Sequence, residues 1–220
     1  MSSREPEQRA PILDPLDRNA EILFGLFMCL TFTGTLSAAT AGREEVRTMM
    51  IAAIGCNAAW GMVDAVMYIL RALVERGHVL TLVRAVRHAS DPARQRAIIA
   101  SRLAPVMLRG IGDEGLERIR AEIHGLPEVP ARPALDWQDF RAAGLIFALV
   151  FLSTFPLVLP FVFFDELPRA MRVSAAIAIA MLFFCGYTWG KHAGMRPWRV
   201  GTAMVTIGVV VEAAIIALGG

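Results

Sequence analysis

The sequence predicts an all-α integral membrane protein: five transmembrane helices, with a cytoplasmic helical insert between the second and the third. Three observations carry this. Of 220 residues 55% are apolar and only 19% charged, where a soluble domain averages about 25% charged. The apolar residues gather into runs of about 20, the length that about 30 Å of hydrocarbon requires at about 1.5 Å per helical residue. Lys and Arg, finally, are sorted between the segments that join those runs, as they are when positive residues are retained on the cytoplasmic side.

The elements follow in order. Residues 1–19 are polar and mixed in charge, without the apolar core and small-residue cleavage site of a signal peptide, so the first run is expected to stay as a helix. The spans are expected at 20–41, 48–70, 142–164, 173–189 and 200–218, giving an N-terminal segment (1–19), a first helix pair (20–70), the insert (71–140) and a three-helix part (141–220). With the N-terminus inside, the inner segments hold 18 of the 22 basic residues, and the outer loops keep Arg43, Arg47, Arg169 and Arg172. The C-terminus is then outside. Tyr68, Trp137, Tyr187, Trp189 and Trp198 fall at inner span ends, where amphipathic rings prefer to lie. The expected location is the cell inner membrane.

In the insert, Asp91 and Pro92 read as an N-cap and a first-turn proline, and the second span is expected to run on as one helix through Val86. A helix over 93–109 would place Ile98, Ile99, Leu103, Val106 and Met107 on one face, suited either to the anionic inner leaflet or to a partner helix. In the third span Pro156 and Pro160 each remove a backbone donor and crowd the preceding turn, so a kink or break is expected in its outer half. Small residues at Gly34, Ala38 and Ala41, and at Ala52, Gly55 and Ala59, permit close helix approach and an oligomer.

Several chemistries are set aside. A net charge of +2 gives no footprint for nucleic acid. Cys29, Cys56 and Cys185 lie inside apolar runs, with no disulfide framework around them. The chain has no Walker loop, nucleophile elbow, zinc-protease helix or paired Cys-x-x-Cys, so it is not expected to be an enzyme or to hold a permanent cofactor.

Within the expected spans the only charged residues are Glu21, Asp64 and Glu212. A carboxylate in hydrocarbon costs about 2.5 to 3.5 kcal/mol on insertion scales, and it persists where it faces a cavity, a partner or an ion. Asp64 is the principal clue. At about 100° per residue Met50, Asn57, Gly61, Asp64 and Tyr68 make one polar stripe, with Met62 and Met67 on either side. Glu21, Met28 and Thr35 form a comparable stripe on the first span. Carboxylate and amide oxygens with thioether sulfur suit a divalent transition ion better than Ca²⁺ or Mg²⁺. Glu212, near the outer end of the fifth span, suits a proton carrier or a vestibule acid.

The run Phe155-Pro156-Leu157-Val158-Leu159-Pro160-Phe161 resembles the proline-rich third span of the vacuolar iron transporter family. Leu182-Phe183-Phe184-Cys185-Gly186-Tyr187 resembles its fourth span, and Trp198-Arg199-Val200-Gly201 with the small-residue helix that follows resembles its fifth. The resemblance implies a homodimer that moves Fe²⁺ or Mn²⁺ out of the cytosol in exchange for protons, along a path between the subunits' first two spans. The family usually has an aspartate in the first span where this chain has Met28; independently of the family pattern, Asp64 on the second span is the candidate to take over that charge. Its best-known inserts are glutamate-rich and gather metal. Here 71–140 holds nine acids against eleven arginines, and Glu114, Glu117 and Glu122 are the candidates for that role; Leu116, Ile119 and Ile123 suit a scaffold or dimer role for the same helix. Two other functions fit the residues: a membrane scaffold or regulator acting through the cytoplasmic helices, and a passive cation channel.

Overall fold

Asp14 precedes Pro15, and that pair starts the first helix, α1 (Pro15–Gly34). The Asp14 carboxylate accepts from Leu16 N at 2.8 Å, satisfying a donor that the helix itself leaves open. The helix thus begins five residues ahead of the expected span, because capping rather than hydropathy sets its start. In the computed structural model residues 13–34, 42–126 and 130–217 are described, and all elements among them are helical. The expected small residues Ala38 and Ala41 lie outside them.

The second helix, α2 (Arg43–His88), runs unbroken for 46 residues, about 70 Å at the α-helical rise. It carries Glu44 and Glu45 in its first turn and Arg87 and His88 in its last, each sign at the end whose dipole it complements. The expected run through Val86 is met and passed by two residues. Helix α3 (Pro92–Ala100) starts as its sequence predicts, with Asp91 Oδ1 accepting from Ala93 N.

A single helix over 93–109 does not form. The chain breaks after Ala100 and restarts as α4 (Pro105–Gly125), since Pro105 has no N–H to continue the ladder and holds Ala104 extended at ψ 145°. The expected apolar stripe is split accordingly. Ile99 is buried with Ile98 and Leu103 packed beside it, whereas Val106 and Met107 are 67% and 56% exposed. At Gly112, φ 60° and ψ −175° interrupt α4, a conformation that a side chain would strain.

The expected third span is two helices, α5 (Trp137–Ser153) and α6 (Phe155–Phe163), and it is followed by α7 (Leu167–His192) and α8 (Pro197–Ala217). Among the described residues three stretches are long and apolar enough to cross a membrane: Glu44–His88, Trp137–Phe163 and Leu167–His192.

The chain divides into two compact units, Met1–Met67 with Phe140–Gly220, and Tyr68–Asp139. In the first, α7 packs against α8, α6 and α1 around Leu26, Cys29, Leu157, Ala178 and Leu182. Glycines set the closest approaches. A Cβ on Gly186 would come within 2.8 Å of Val200 O, and one on Gly25 within 2.7 Å of Val150 O. Gly25 was not among the small residues expected to do this. Gly55, which was, has nothing within 4 Å and stands with exposed Ala52 and Ala59 on an open face of α2.

The second unit is held by a small apolar cluster and by arginine. Val86, Ile99 and Leu116 are buried together. Arg76 grips Asp139 with both terminal nitrogens, at 2.6 and 2.8 Å, a bidentate geometry that fixes orientation as well as charge. Gln95, 6% exposed, donates to Ala89 O and accepts from Arg120.

Glu117 lies between Arg120 and Arg96. Hydrogen bonds from Arg120 first, and from Arg96 second, hold its carboxyl down at about 2, against an ordinary 4.5. A depressed carboxyl contributes stability above its unfolded value and loses it as pH falls through the folded one. Hydrogen-exchange protection of Pro92–Ala100 and Pro105–Gly125 is therefore expected to fall as pH drops from about 4.5 to about 2, and Glu117→Gln is expected to remove most of that dependence. An unchanged pH profile in the variant would place the acid sensitivity elsewhere.

Candidate cation site

Thr154 sits where the third span changes from α5 to α6. Pro156 lacks the N–H that would continue the ladder, and just before it Thr154 N turns to Phe151 O at 3.3 Å. Val150 O, left without its i+4 donor, accepts from Ser153 Oγ at 2.7 Å. Of the expected kink or break the structure shows a break, with the freed carbonyl of Val150 answered by the Ser153 hydroxyl. Cys29 Sγ of α1 points to Thr154 O at 3.9 Å.

Asn57 closes this junction from α2. It is fully buried; its Nδ2 donates to Gly25 O of α1 at 3.0 Å and to Thr154 Oγ1. One amide therefore ties three helices together. Because the carbonyl of Gly25 can only accept, the amide orientation is fixed with nitrogen toward α1, and Oδ1 is left buried without a donor among the described residues. Asp64, two turns further along α2, is half-buried, and its Oδ2 is likewise buried with no donor. Two oxygen acceptors of one helix face thus lack protein donors among the described residues, an arrangement that costs free energy unless a cation, a water hydrogen or, at the carboxylate, a proton answers it.

The other expected residues are dispersed. Met28 and Glu21 are half-buried on α1. Met62 and Met67 are 62% and 57% exposed on α2, turned to the open side of the helix rather than into the unit with Asn57. The sequence stripe fixed their angle relative to Asp64 but not which flank faces inward. Glu212 is half-buried and lines a cavity of about 540 Å³ with Thr33, Met171, Ser174 and Leu182, its Oε2 without a donor among the described residues. Pro156 stands in the first turn of α6 and Pro160 is buried inside it.

In the insert, Glu114 pairs with Arg118 at 2.6 Å and Glu117 with two arginines, while Glu122 is exposed. Arginines, not other carboxylates, meet two of the three candidates, and no group of three His, Cys, Asp or Glu stands together among the described residues.

Thr154 was not singled out by sequence, and neither Gly25 nor Cys29 was read as part of a junction with it. A Thr two residues before a proline, inside an apolar run, was the available signal; its meaning depends on Asn57, 97 positions away.

No curated protein matches the chain. The VIT family model matches residues 106–220, more than half of the sequence, and covers all three stretches in which the resemblance was read. Asp64, Asn57 and Met28 precede the matched stretch. The chain therefore belongs to the VIT family, the vacuolar iron transporters, and membrane transport of metal ions is the activity that this membership carries.

Proposed function

We propose that the chain is a five-span transporter that moves Fe²⁺ or Mn²⁺ out of the cytoplasm in exchange for protons, as a homodimer in the cell inner membrane, with its N-terminus inside and its C-terminus outside. The observation that carries this reading is the pair of donorless acceptors on α2, Asp64 Oδ2 and Asn57 Oδ1, in a chain of this family. A carboxylate binds a cation when ionised and releases it on taking a proton, so Asp64 alone could alternate between the two. Met28 would add sulfur from α1, and Glu21 charge toward the inner end.

The exposure of Met62 and Met67 supports the dimer. From the open face of α2 they reach an ion only where a second copy covers that face, together with Ala52, Gly55 and Ala59. Glu212, in its apolar cavity, would carry the returning proton. Glu122, with whatever share Glu114 and Glu117 can release from their arginines, would gather metal at the insert.

The test is uptake of Fe²⁺ and Mn²⁺ into proteoliposomes, with and without a pH gradient. Gradient-dependent uptake of either ion, with Mg²⁺ excluded, is expected. Flux that follows voltage but ignores the proton gradient would make the protein a channel, and no flux at all would make it a scaffold.

A further inference from the structure

Residues 92–112 contain four arginines and no acid. Elsewhere in the same unit Arg71, Arg76, Arg118 and Arg120 each meet a carboxylate, and Arg96 meets Glu117. Arg94, Arg102 and Arg109 are exposed and have no ion pair among the described residues. Between Arg102 and Arg109 the chain turns the α3–α4 corner, and here Val106 and Met107 stand 67% and 56% exposed. Leu103, Leu108 and Ile111 of the same stretch pack inward against Ile99 and Leu116. The unit's apolar core is therefore closed without Val106 and Met107.

Exposed apolar side chains bracketed by unpaired cations, with no acid for twenty-one positions, are complementary to a surface that is negative outside and apolar beneath. An anionic lipid leaflet has that layering, and a chain with membrane-spanning helices is permanently tethered to one. We propose that the α3–α4 corner is a docking surface for anionic phospholipid, Arg102 and Arg109 meeting the headgroup phosphates while Val106 and Met107 enter the acyl boundary. Arginine suits this role because its guanidinium binds phosphate through two donors at once while its stem lies along apolar surface. The proposal stands whether or not the protein moves metal.

The full chain would be labelled with a nitroxide at Met107→Cys, and separately at Val106→Cys, in nanodiscs of phosphatidylcholine with and without phosphatidylglycerol. A sample carrying only the native cysteines subtracts labelling in the spans. The expected result is greater accessibility to oxygen and less to a water-soluble nickel chelate only when phosphatidylglycerol is present, reversed by high salt. Arg102→Glu with Arg109→Glu is expected to shift the docked-to-free ratio by about fivefold or more for each residue. Equal exposure to the chelate in both lipids overturns the proposal. So does shielding that persists in neutral lipid and in the double variant, because protein rather than lipid would then be the cover.

Discussion

Asp64→Asn is expected to bring metal flux down to that of protein-free vesicles while leaving the protein folded. At about 4 Å, in surroundings of effective dielectric about 20, one pair of unit charges is worth about 4 kcal/mol. Half of that is about 30-fold in affinity, and the whole is roughly 700-fold. Stability should move little or rise, because Asp64 Oδ2 has no donor to lose and an amide is cheaper than a carboxylate in hydrocarbon. Retained thermal stability with lost flux separates a transported-ion role from a packing role. Full flux in the variant would remove Asp64 from the path.

Gly25→Leu should be the most damaging single packing change. A Cβ there would stand 2.0 Å from Ser153 Oγ and 2.7 Å from Val150 O. The hydroxyl can rotate away, but the carbonyl belongs to a helix backbone and cannot move without shifting α5. Overpacking of this kind costs about 1 to 3 kcal/mol, occasionally more, and four added carbons at a backbone contact belong at the upper end. For comparison, interhelical hydrogen bonds in membranes average about 0.6 kcal/mol, so removing both bonds of Asn57 with Asn57→Ala should cost about 1 kcal/mol. Gly55→Leu, with open space around it, should leave the protomer intact; if a second copy covers that face, it should instead abolish the dimer. Melting temperature and size-exclusion profile in detergent read all three, and a Gly25→Leu protein as stable as wild type would mean that α1 and α5 are not in this contact.

What could be read from sequence divides along the range of the interactions involved. Helix starts set by a neighbouring residue were legible: Asp91 and Pro92 gave α3 its first residue, and Asp14 and Pro15 carry the same signal for α1 in a stretch too polar for hydropathy to mark. The long α2 was legible because nothing between Arg43 and His88 breaks a helix. Pro105 is an equally local signal, but the apolar period across 93–109 continues through it, and the structure breaks there. The Asn57 junction was not legible as a junction. Its partners Gly25 and Thr154 are 32 and 97 positions distant, and hydropathy carries no information on which residues of different spans meet. Met62 and Met67 show the same limit, since a helical wheel gives relative angles but not which sector faces a neighbour.

That separation also bears on the order in which the protein is made. Asn57 enters the bilayer with the second span, and of its two acceptors Gly25 O has already been synthesised, while Thr154 Oγ1 follows 97 residues later. At about 5 to 20 residues per second the ribosome delivers the second acceptor roughly 5 to 20 s afterwards. The first two helices can therefore pair through Gly25 while the rest of the chain is still emerging, and the third is recruited to a half-built knot.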